Sequence, residues 1–343
     1  MPSPFRPTTP ARSPRPIPRV TESSNVRVPK PLETASILTK LGAAITGPRV
    51  SDRSARARIV QVLNAAWLDG LSLGDPIAAD PLEGGYASKT YRVRTSLGRT
   101  AVVKTQENLP SDLYPLEADG LDALRVPGGF AVPEVLRVTS SFIVLADLGT
   151  AEASPTYWED AGRALALQHQ QTADKFGYHQ DNYLGTLPQR NPWTTDGHAF
   201  FAEQRLLRYL EEPNCFSQLP EADRRRLERI ALRLPDLVPA QLPSLLHGDL
   251  WHGNLLPGPD GEPGMIDPAV NYGWPEADLA TLLIYGNLSD QFFSAYEELH
   301  PLADGWRERM PLLHLRELLC ITAHWPDRAQ TVAEIHTILK SFD

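Results

Sequence analysis

Three polar residues in the second half of the chain have the types and the spacing of a magnesium-dependent phosphate site. Asp249 precedes Asn254 by five residues, and Asp267 follows after a turn between Gly258 and Gly264. Amide and carboxylate oxygens are ligands that Mg²⁺ accepts beside phosphates, which suits Asn254 and Asp267. A carboxylate that stands apart from the metal can accept a hydroxyl proton, which suits Asp249. The pattern predicts phosphoryl transfer to an alcohol.

The order Asp, Asn, Asp is also the order in the catalytic loop and metal-binding segment of protein kinases. Two other interpretations compete with it. The His247-Gly248-Asp249 tripeptide is also typical of an ordinary turn, with Asp267 simply ending a strand. Alternatively, His247, Asp249 and His252 place three potential metal ligands within six residues. The complete ordered set favours phosphoryl transfer.

Residues upstream fit the same interpretation. Lys104 follows two valines in an alternating strand, where a kinase places the lysine that contacts the α- and β-phosphates of ATP. Glu117, on the next predicted helix, is the expected ion-pair partner of that lysine. Gly84 and Gly85 could bring backbone N–H groups over the phosphates, although such a turn is also typical of a plain hairpin.

Three further polar residues are predicted to be structural. His169 shares a helix face with apolar residues, so a packed or supporting histidine is expected there. Glu276 and Asp278 precede an apolar helix, and we expect them to cap that helix or to brace the catalytic loop.

The elements that must position these residues follow the order of a kinase amino-terminal lobe. Residues 77–105 alternate as three antiparallel strands, 111–125 form a helix opened by Ser111, and 135–148 form two more strands. Helices are predicted at 156–171, 196–211, 220–234, 275–285, 288–299, 307–323 and 328–341. The expected fold class is α+β, with a protein-kinase-like two-lobed fold.

The beginning of the chain differs in composition from the remainder. Residues 1–31 contain nine of the 32 prolines and six basic side chains against one acidic side chain, so we expect a disordered tail there. Two amphipathic helices are predicted before residue 70. The predicted organisation is a tail at 1–31, leading helices and an ATP-binding lobe at 32–148, and a helical lobe at 149–343.

The composition also argues against several classes of partner. A net charge of −9 does not favour nucleic-acid binding through phosphate contacts, and no apolar segment is long enough to span a bilayer. Two cysteines are too few for a disulfide framework, which favours a reducing compartment and predicts a cytoplasmic protein.

From about Leu82 to its carboxyl terminus, the chain resembles the fructosamine kinase (ketosamine 3-kinase) family. The distinguishing strings are HGDLWHGN at 247–254 and IDPAVNYGWPEADLA at 266–280. Further similar segments are FGYHQDNYLGTLPQRNPW at 176–193, FFAEQRLLRYL at 200–210 and FSAYEELHPLADGWRERMPLLHLRELL at 293–319. Kinases of the aminoglycoside and choline type share the HGD, Asn and Asp residues, but they lack the LWxGN and DPAxxYG extensions.

The resemblance implies ATP- and Mg²⁺-dependent phosphorylation of the 3-hydroxyl of a ketosamine, the rearranged adduct of a sugar with an amine or with a protein. The phosphate then leaves once the adjacent carbons enolise, which frees the amine. The resemblance also implies that Trp251 packs beside the sugar, that His247 lies on the substrate side, and that Ala146 and Leu148 belong to the adenine hinge.

The chain departs from the family pattern at Ala146, where an acidic residue is usual, and at His198, where tryptophan is usual. Its glycine turn also lacks the cysteine found in some members. A kinase of another small alcohol, such as an aminoglycoside or amino sugar, is therefore an alternative. A nucleotide-binding pseudokinase is a further alternative, but all five residues that an active kinase needs are present. They are Lys104, Glu117, Asp249, Asn254 and Asp267.

Overall fold

The first part of the described chain is a 3-10 turn (Ala65–Trp67) followed by a five-stranded antiparallel sheet. In this computed structural model, residues 65–82, 88–284 and 288–343 are described. The strand order in the sheet is β1-β2-β3-β5-β4. The strands are β1 (Pro76–Leu82), β2 (Lys89–Thr95), β3 (Thr100–Thr105), β4 (Val135–Val138) and β5 (Phe142–Ala146). The prediction of three strands, a helix and two strands is confirmed, whereas the proline-rich tail and the glycine pair at 84–85 lie outside the described residues.

The two faces of the sheet are covered by different elements, because alternate side chains of a strand point in opposite directions. Val93, Val103 and Val144 are buried on one face, where they pack with Trp67. Helix α1 (Leu113–Ala123) covers the opposite face. The alternation in β3 therefore sends Lys104, next to Val103 in sequence, toward α1.

Helix α1 begins one residue later than the sequence predicted. Its N-cap is Asp112 and not Ser111, so the prediction for Ser111 is wrong. The carboxylate of Asp112 makes no capping hydrogen bond and instead accepts a hydrogen bond from the Tyr183 hydroxyl at 3.1 Å. The carboxylate of Asp112 thus binds a residue distant in sequence and not the backbone N–H groups of its own helix, which is the capping interaction that sequence patterns describe.

The remainder of the described chain is mainly helical. The helices are α2 (Tyr157–His169), α3 (Gly197–Phe201), α4 (Pro213–Gln218), α5 (Glu221–Leu237), α6 (Pro275–Ile284), α7 (Asp290–Leu299), α8 (Trp306–His324) and α9 (Ala329–Phe342). A π-helical turn (Ala202–Leu206) and a 3-10 turn (Leu207–Glu211) continue α3. The prediction of one helix over 196–211 therefore gave the extent but missed the change of helix type, and the short helix α4 was not predicted.

Short two-stranded sheets carry the irregular segments between the helices. Their strands are β6 (Asn182–Leu184), β7 (Leu187–Gln189), β8 (Ser244–Leu246), β9 (Leu255–Pro257), β10 (Pro263–Met265) and β11 (Asn271–Gly273). Strand β6 pairs with β7, β8 with β11, and β9 with β10, each pair antiparallel. The pairing of β8 with β11 brings the segment before Asp249 beside the segment after Asp267.

Buried polar contacts join the helices at several points. Arg309 donates two hydrogen bonds to the carboxylate of Glu276, at 2.6 and 3.0 Å, and links α8 to the start of α6. Both cysteines are free and buried, and burial raises the pKa of each thiol to about 12. Among the residues that the structure describes, no helix is long and apolar enough to cross a membrane.

Helices α2 and α7 approach each other closely at Gly162. A Cβ atom at this position would lie 2.2 Å from the backbone oxygen of Phe292, a distance that real side chains do not reach. Glycine therefore permits a helix crossing that any larger residue would force apart.

We expect Gly162→Ala to lower the free energy of unfolding by about 1–3 kcal/mol, the usual effect of overfilling a packed interior. The same substitution in an exposed helix would instead stabilise the protein by about 1 kcal/mol, because alanine favours helix. Urea denaturation of the two proteins distinguishes the signs. A stabilised variant would contradict the close packing of α2 and α7.

Candidate active site

Lys104 of β3 lies at the centre of a buried charge cluster. Its ammonium nitrogen contacts the carboxylate of Asp267 and lies 2.5 Å from Oε1 of Glu117 on α1. Burial by itself lowers the pKa of Lys104, but the two carboxylates more than offset that effect and the net pKa is raised. The side chain therefore stays charged and joins the sheet, α1 and the segment after β10.

Asp249 and Asn254 lie together on the loop that follows β8. The Asn254 side-chain amide donates to the backbone oxygen of Asp249 at 2.8 Å and to its carboxylate at 3.2 Å. Burial raises the pKa of Asp249 to about 7, with a further contribution from the charge of Asp267 and an opposing one from Arg316. The Asp249 carboxylate is therefore a stronger base than an exposed aspartate.

His247 holds the loop in place from inside the protein. Its Nε2 donates to the backbone oxygen of Ile266 at 2.9 Å, which leaves Nδ1 as the acceptor of the Asp249 amide at 3.2 Å. Burial lowers the pKa of the imidazole, consistent with the neutral form. Because His247 is fully buried and both ring nitrogens are occupied, the predicted contact with substrate does not fit this placement.

The same contacts argue against the alternative of a metal site built from His247, Asp249 and His252. A metal ligand needs a free lone pair, and His247 has none. Within residues 65–82, 88–284 and 288–343, no group of three or more histidine, cysteine, aspartate or glutamate side chains could hold a metal ion.

The carboxylate of Asp278 braces the loop by accepting hydrogen bonds from two successive backbone amides. The amide of His247 donates at 2.7 Å and the amide of Gly248 at 3.0 Å. His169 lies 3.4 Å from the same carboxylate and 2.7 Å from the hydroxyl of Tyr296. The predictions that His169 is a packed, supporting residue and that Asp278 braces the loop are confirmed.

The tight path of the loop requires glycine at position 248. Its φ of +80° lies in the left-handed region, and a Cβ atom would lie 2.0 Å from the backbone oxygen of Ala269. Asp267 also has a positive φ, 59°, which is costly for a residue with a side chain. The surrounding contacts hold both segments in conformations that isolated peptides would avoid.

A cleft of about 140 Å³ connects these groups. Its lining includes Lys104, Glu117, Asp249, Asn254 and Asp267. Three carboxylates and one ammonium group line this cleft, so its charged side chains carry a net negative charge. ATP could enter such a cleft only with cations that offset its own charge.

The lining of the cleft also includes less polar residues. They are Trp251, Leu113, Leu116, Tyr183, Leu184 and Gly185. The indole of Trp251 lies over Gly253, where a Cβ atom would come within 2.1 Å of the ring. The sequence drew attention to Trp251 but not to Tyr183 or Leu184, although both fall within the string at 176–193 that carries the resemblance.

The predicted adenine hinge lies outside the set of residues that line this cleft. Ala146 ends β5, and its amide donates to the backbone oxygen of Glu134 at 2.8 Å. Between Ala146 and Leu148, the carboxylate of Asp147 pairs with Arg92 of β2 at 2.7 Å. An acidic side chain therefore lies directly after Ala146 in the sequence, where it pairs with the sheet.

Asn254 and Asp267 could hold a divalent cation. The amide nitrogen of Asn254 is committed to Asp249, which leaves the amide oxygen as its ligand atom. An amide oxygen and a carboxylate suit Mg²⁺, which usually takes only one or two protein ligands and completes its shell with water and phosphate oxygens. The excess negative charge of the cleft fits a cation as well.

The amino-acid sequence of the chain is similar to those of a known protein family. A sequence model of the fructosamine kinase family matches residues 68–340. A probable ketoamine kinase of Enterococcus faecium is 36% identical over 248 residues, which cover 70% of this chain and 86% of that protein. A probable ketoamine kinase of Thermus thermophilus is 34% identical over 247 residues, or 70% of this chain and 85% of that protein.

Solved structures give the same result for the fold. A candidate fructosamine-3-kinase from Thermobifida fusca superimposes with a TM-score of 0.73 and 32% identity, over 80% of this chain and 98% of that chain. A type I macrolide 2′-phosphotransferase superimposes with a TM-score of 0.55 at 16% identity, over 82% of this chain and 97% of that chain. The predicted protein-kinase-like α+β fold is confirmed.

We expect Asp278→Asn to lower the free energy of unfolding by about 1–3 kcal/mol, because the new amide group opposes one backbone N–H and leaves it without an acceptor. Urea denaturation measures the loss. The same substitution at exposed Asp290 serves as the control and should change stability by less than about 0.5 kcal/mol. Equal stability of both variants would contradict the bracing role.

Proposed function

The chain belongs to the fructosamine kinase family, and from that premise we propose that it transfers the γ-phosphoryl group of ATP to the 3-hydroxyl of a ketosamine. Membership makes the protein a kinase-type phosphotransferase that uses ATP. The proposal extends to the acceptor, to the atom phosphorylated and to the residues that act. It also includes a cytoplasmic location, where ATP is abundant.

One observation carries the proposal: the ion pair of Lys104 and Glu117 lines the same cleft as Asp249, Asn254 and Asp267. A pseudokinase would tolerate loss of any of these residues, whereas a phosphotransferase needs all of them around one site. Their shared cleft supports an active enzyme over a nucleotide-binding protein without turnover.

Each residue then has a distinct task. Lys104 binds phosphate oxygens, and Glu117 keeps the ammonium group in place. Asp249 orients the 3-hydroxyl of the acceptor and takes its proton as the oxygen attacks the γ-phosphorus. Asn254 and Asp267 would hold Mg²⁺, which when bound offsets the charge on the phosphates.

Trp251 supports a sugar acceptor. Its side chain lines the cleft and is half-buried, and an indole offers an apolar surface that suits the C–H groups of a sugar. A phosphate on C3 of a ketosamine becomes a leaving group once a proton is lost from C1 and a C1=C2 double bond forms. Cleavage of the C3–O bond then releases phosphate, and water releases the amine.

The acceptor is tested by measuring ATP consumption with ribulosamines, erythrulosamines, fructosamines and aminoglycosides. We expect turnover with one or more ketosamines and a phosphate ester on C3, located by NMR. Turnover with aminoglycosides alone would overturn the ketosamine assignment. Absence of turnover with every acceptor, despite normal binding of Mg·ATP, would favour the pseudokinase.

Substitution of Asp249 and substitution of Asp267 are predicted to have different effects on Mg·ATP binding. Asp249→Asn should retain binding of Mg·ATP while turnover falls by about 10² to 10⁴, because the general base is lost. Asp267→Asn should weaken Mg·ATP binding as well as turnover, because a metal ligand is lost. Calorimetric titration of Mg·ATP and single-turnover phosphorylation of a ribulosamine measure both effects.

Asp290→Asn, the same change at an exposed site, is the control for both aspartate variants. Near-normal turnover of Asp249→Asn would contradict the proposed chemistry. Loss of Mg·ATP binding in Asp249→Asn but not in Asp267→Asn would mean that the two roles are reversed.

Trp251→Ala should raise the KM for ketosamine about tenfold and leave the KM for ATP nearly unchanged. Loss of about 55 Å² of apolar contact with the sugar, at roughly 25 cal/mol per Å², corresponds to that factor. Trp251→Phe keeps an aromatic face and should recover most of the affinity. Equal changes in both KM values would show that Trp251 acts through the fold and not on the sugar.

A further inference from the structure

Three side chains from one short segment of the helical part reach across to helix α1. The hydroxyl of Tyr178 donates to Oδ2 of Asp119 at 2.8 Å, and Nε2 of His179 lies 3.2 Å from Oδ1 of the same carboxylate. The hydroxyl of Tyr183 donates to Oδ1 of Asp112 at 3.1 Å. We call these five residues the α1 tether.

The α1 tether contacts the helix close to Glu117, the residue that pairs with Lys104. Leu113, Glu117 and Gly120 follow one another at spacings of four and three residues and form one stripe of the helix, toward the sheet and the segment after Asp267. Asp112 and Asp119 lie seven residues apart on an adjacent stripe. Contacts made by Asp112 and Asp119 therefore fix the rotation of α1 about its axis and its position along that axis. Both determine where Glu117 lies.

The packing of α1 alone leaves this position only partly determined. Its buried apolar residues meet the sheet through Ile143 and Leu145, contacts that restrain distance more than rotation, and one hydroxyl on the sheet side, that of Tyr114, lies 2.9 Å from the Ser88 hydroxyl. Hydrogen bonds to carboxylates are directional and stronger than those between neutral groups. Burial, followed by the nearby Asp119 carboxylate, raises the pKa of Tyr178, so its hydroxyl remains protonated and able to donate.

The segment that carries the tether also lines the cleft. Tyr183 is followed by Leu184 and Gly185, and all three line the cleft with Trp251. The same few residues thus contact the helix that bears Glu117 and face the region proposed for the sugar.

We propose that Tyr178, His179 and Tyr183 are positioning residues for phosphoryl transfer, which hold α1 so that Glu117 keeps Lys104 in place for the nucleotide. The inference rests on the proposed function, because it gives Lys104 the task of binding phosphate. Breaking the tether lets α1 move away from the sheet in a fraction of molecules, and the apparent affinity for ATP falls in proportion to the fraction that remains competent.

The test uses Tyr178→Phe, Asp119→Ala and Tyr183→Phe, with no acceptor present. We expect each to weaken Mg·ATP binding, measured by calorimetry, by about threefold to tenfold. Hydrogen exchange should accelerate in residues 113–123 and remain unchanged in α8. The double variant Tyr178→Phe/Asp119→Ala should lose little more than Asp119→Ala alone, because both substitutions remove one shared bond.

Glu211→Gln is the matched control, because it breaks an exposed ion pair with Arg190 at 3.0 Å that does not touch α1. It should leave both measurements unchanged. Should one variant fail to fold, Tyr183→Phe, which removes a single hydroxyl from a partly exposed side chain, still decides the question.

Mg·ATP affinity within twofold of wild type in all three variants would overturn the proposal. Weaker affinity with exchange accelerated throughout the chain would also overturn it, because that result reports general destabilisation. Since no acceptor is present, neither result bears on the ketosamine assignment, and failure of the acceptor screen leaves the tether test intact.

Discussion

Lys104 brings a positive charge into the interior between β3 and α1, and removing an ammonium group from water is costly unless carboxylates lie beside it. Glu117 and Asp267 supply those carboxylates from two other parts of the chain. Three elements must therefore meet at one nitrogen atom. The sheet, α1 and the segment after β10 cannot take independent positions without leaving a buried charge unpaired, and the geometry of the cleft follows from that constraint.

Backbone contacts fix the other half of the site. The Asp278 carboxylate accepts from two successive amides, and His247 ties the loop to Ile266, so the loop is held from inside while Asp249 remains accessible in the cleft. A group that is already oriented does not need to reorganise when charge moves during the reaction. Asp249 lies on the loop that these contacts hold in place, and Asp267 is joined to the sheet through Lys104. The two halves of the site therefore meet at these two aspartates.

Sequence patterns predicted what depends on local order and missed what depends on distant contacts. The spacing of Asp249, Asn254 and Asp267 is short, so the chain itself brings them together once the β9–β10 turn forms. The Asp112 carboxylate at the start of α1 accepts a hydrogen bond from Tyr183, 71 residues away, and no local rule contains that partner. The ring of His247 points inward because Ile266 offers an acceptor, which its neighbours in sequence do not reveal.

The burial of both thiols has a practical consequence for fluorescence labelling of this protein. Cys215 and Cys320 are inaccessible, and burial suppresses their thiolate forms, the species that react with maleimides. We therefore expect the two native cysteines not to react with thiol-directed dyes. A pair of cysteines introduced on exposed positions of α1 and α5 could carry a donor and an acceptor fluorophore, so that the distance between these helices would be followed in single molecules without first removing any native residue.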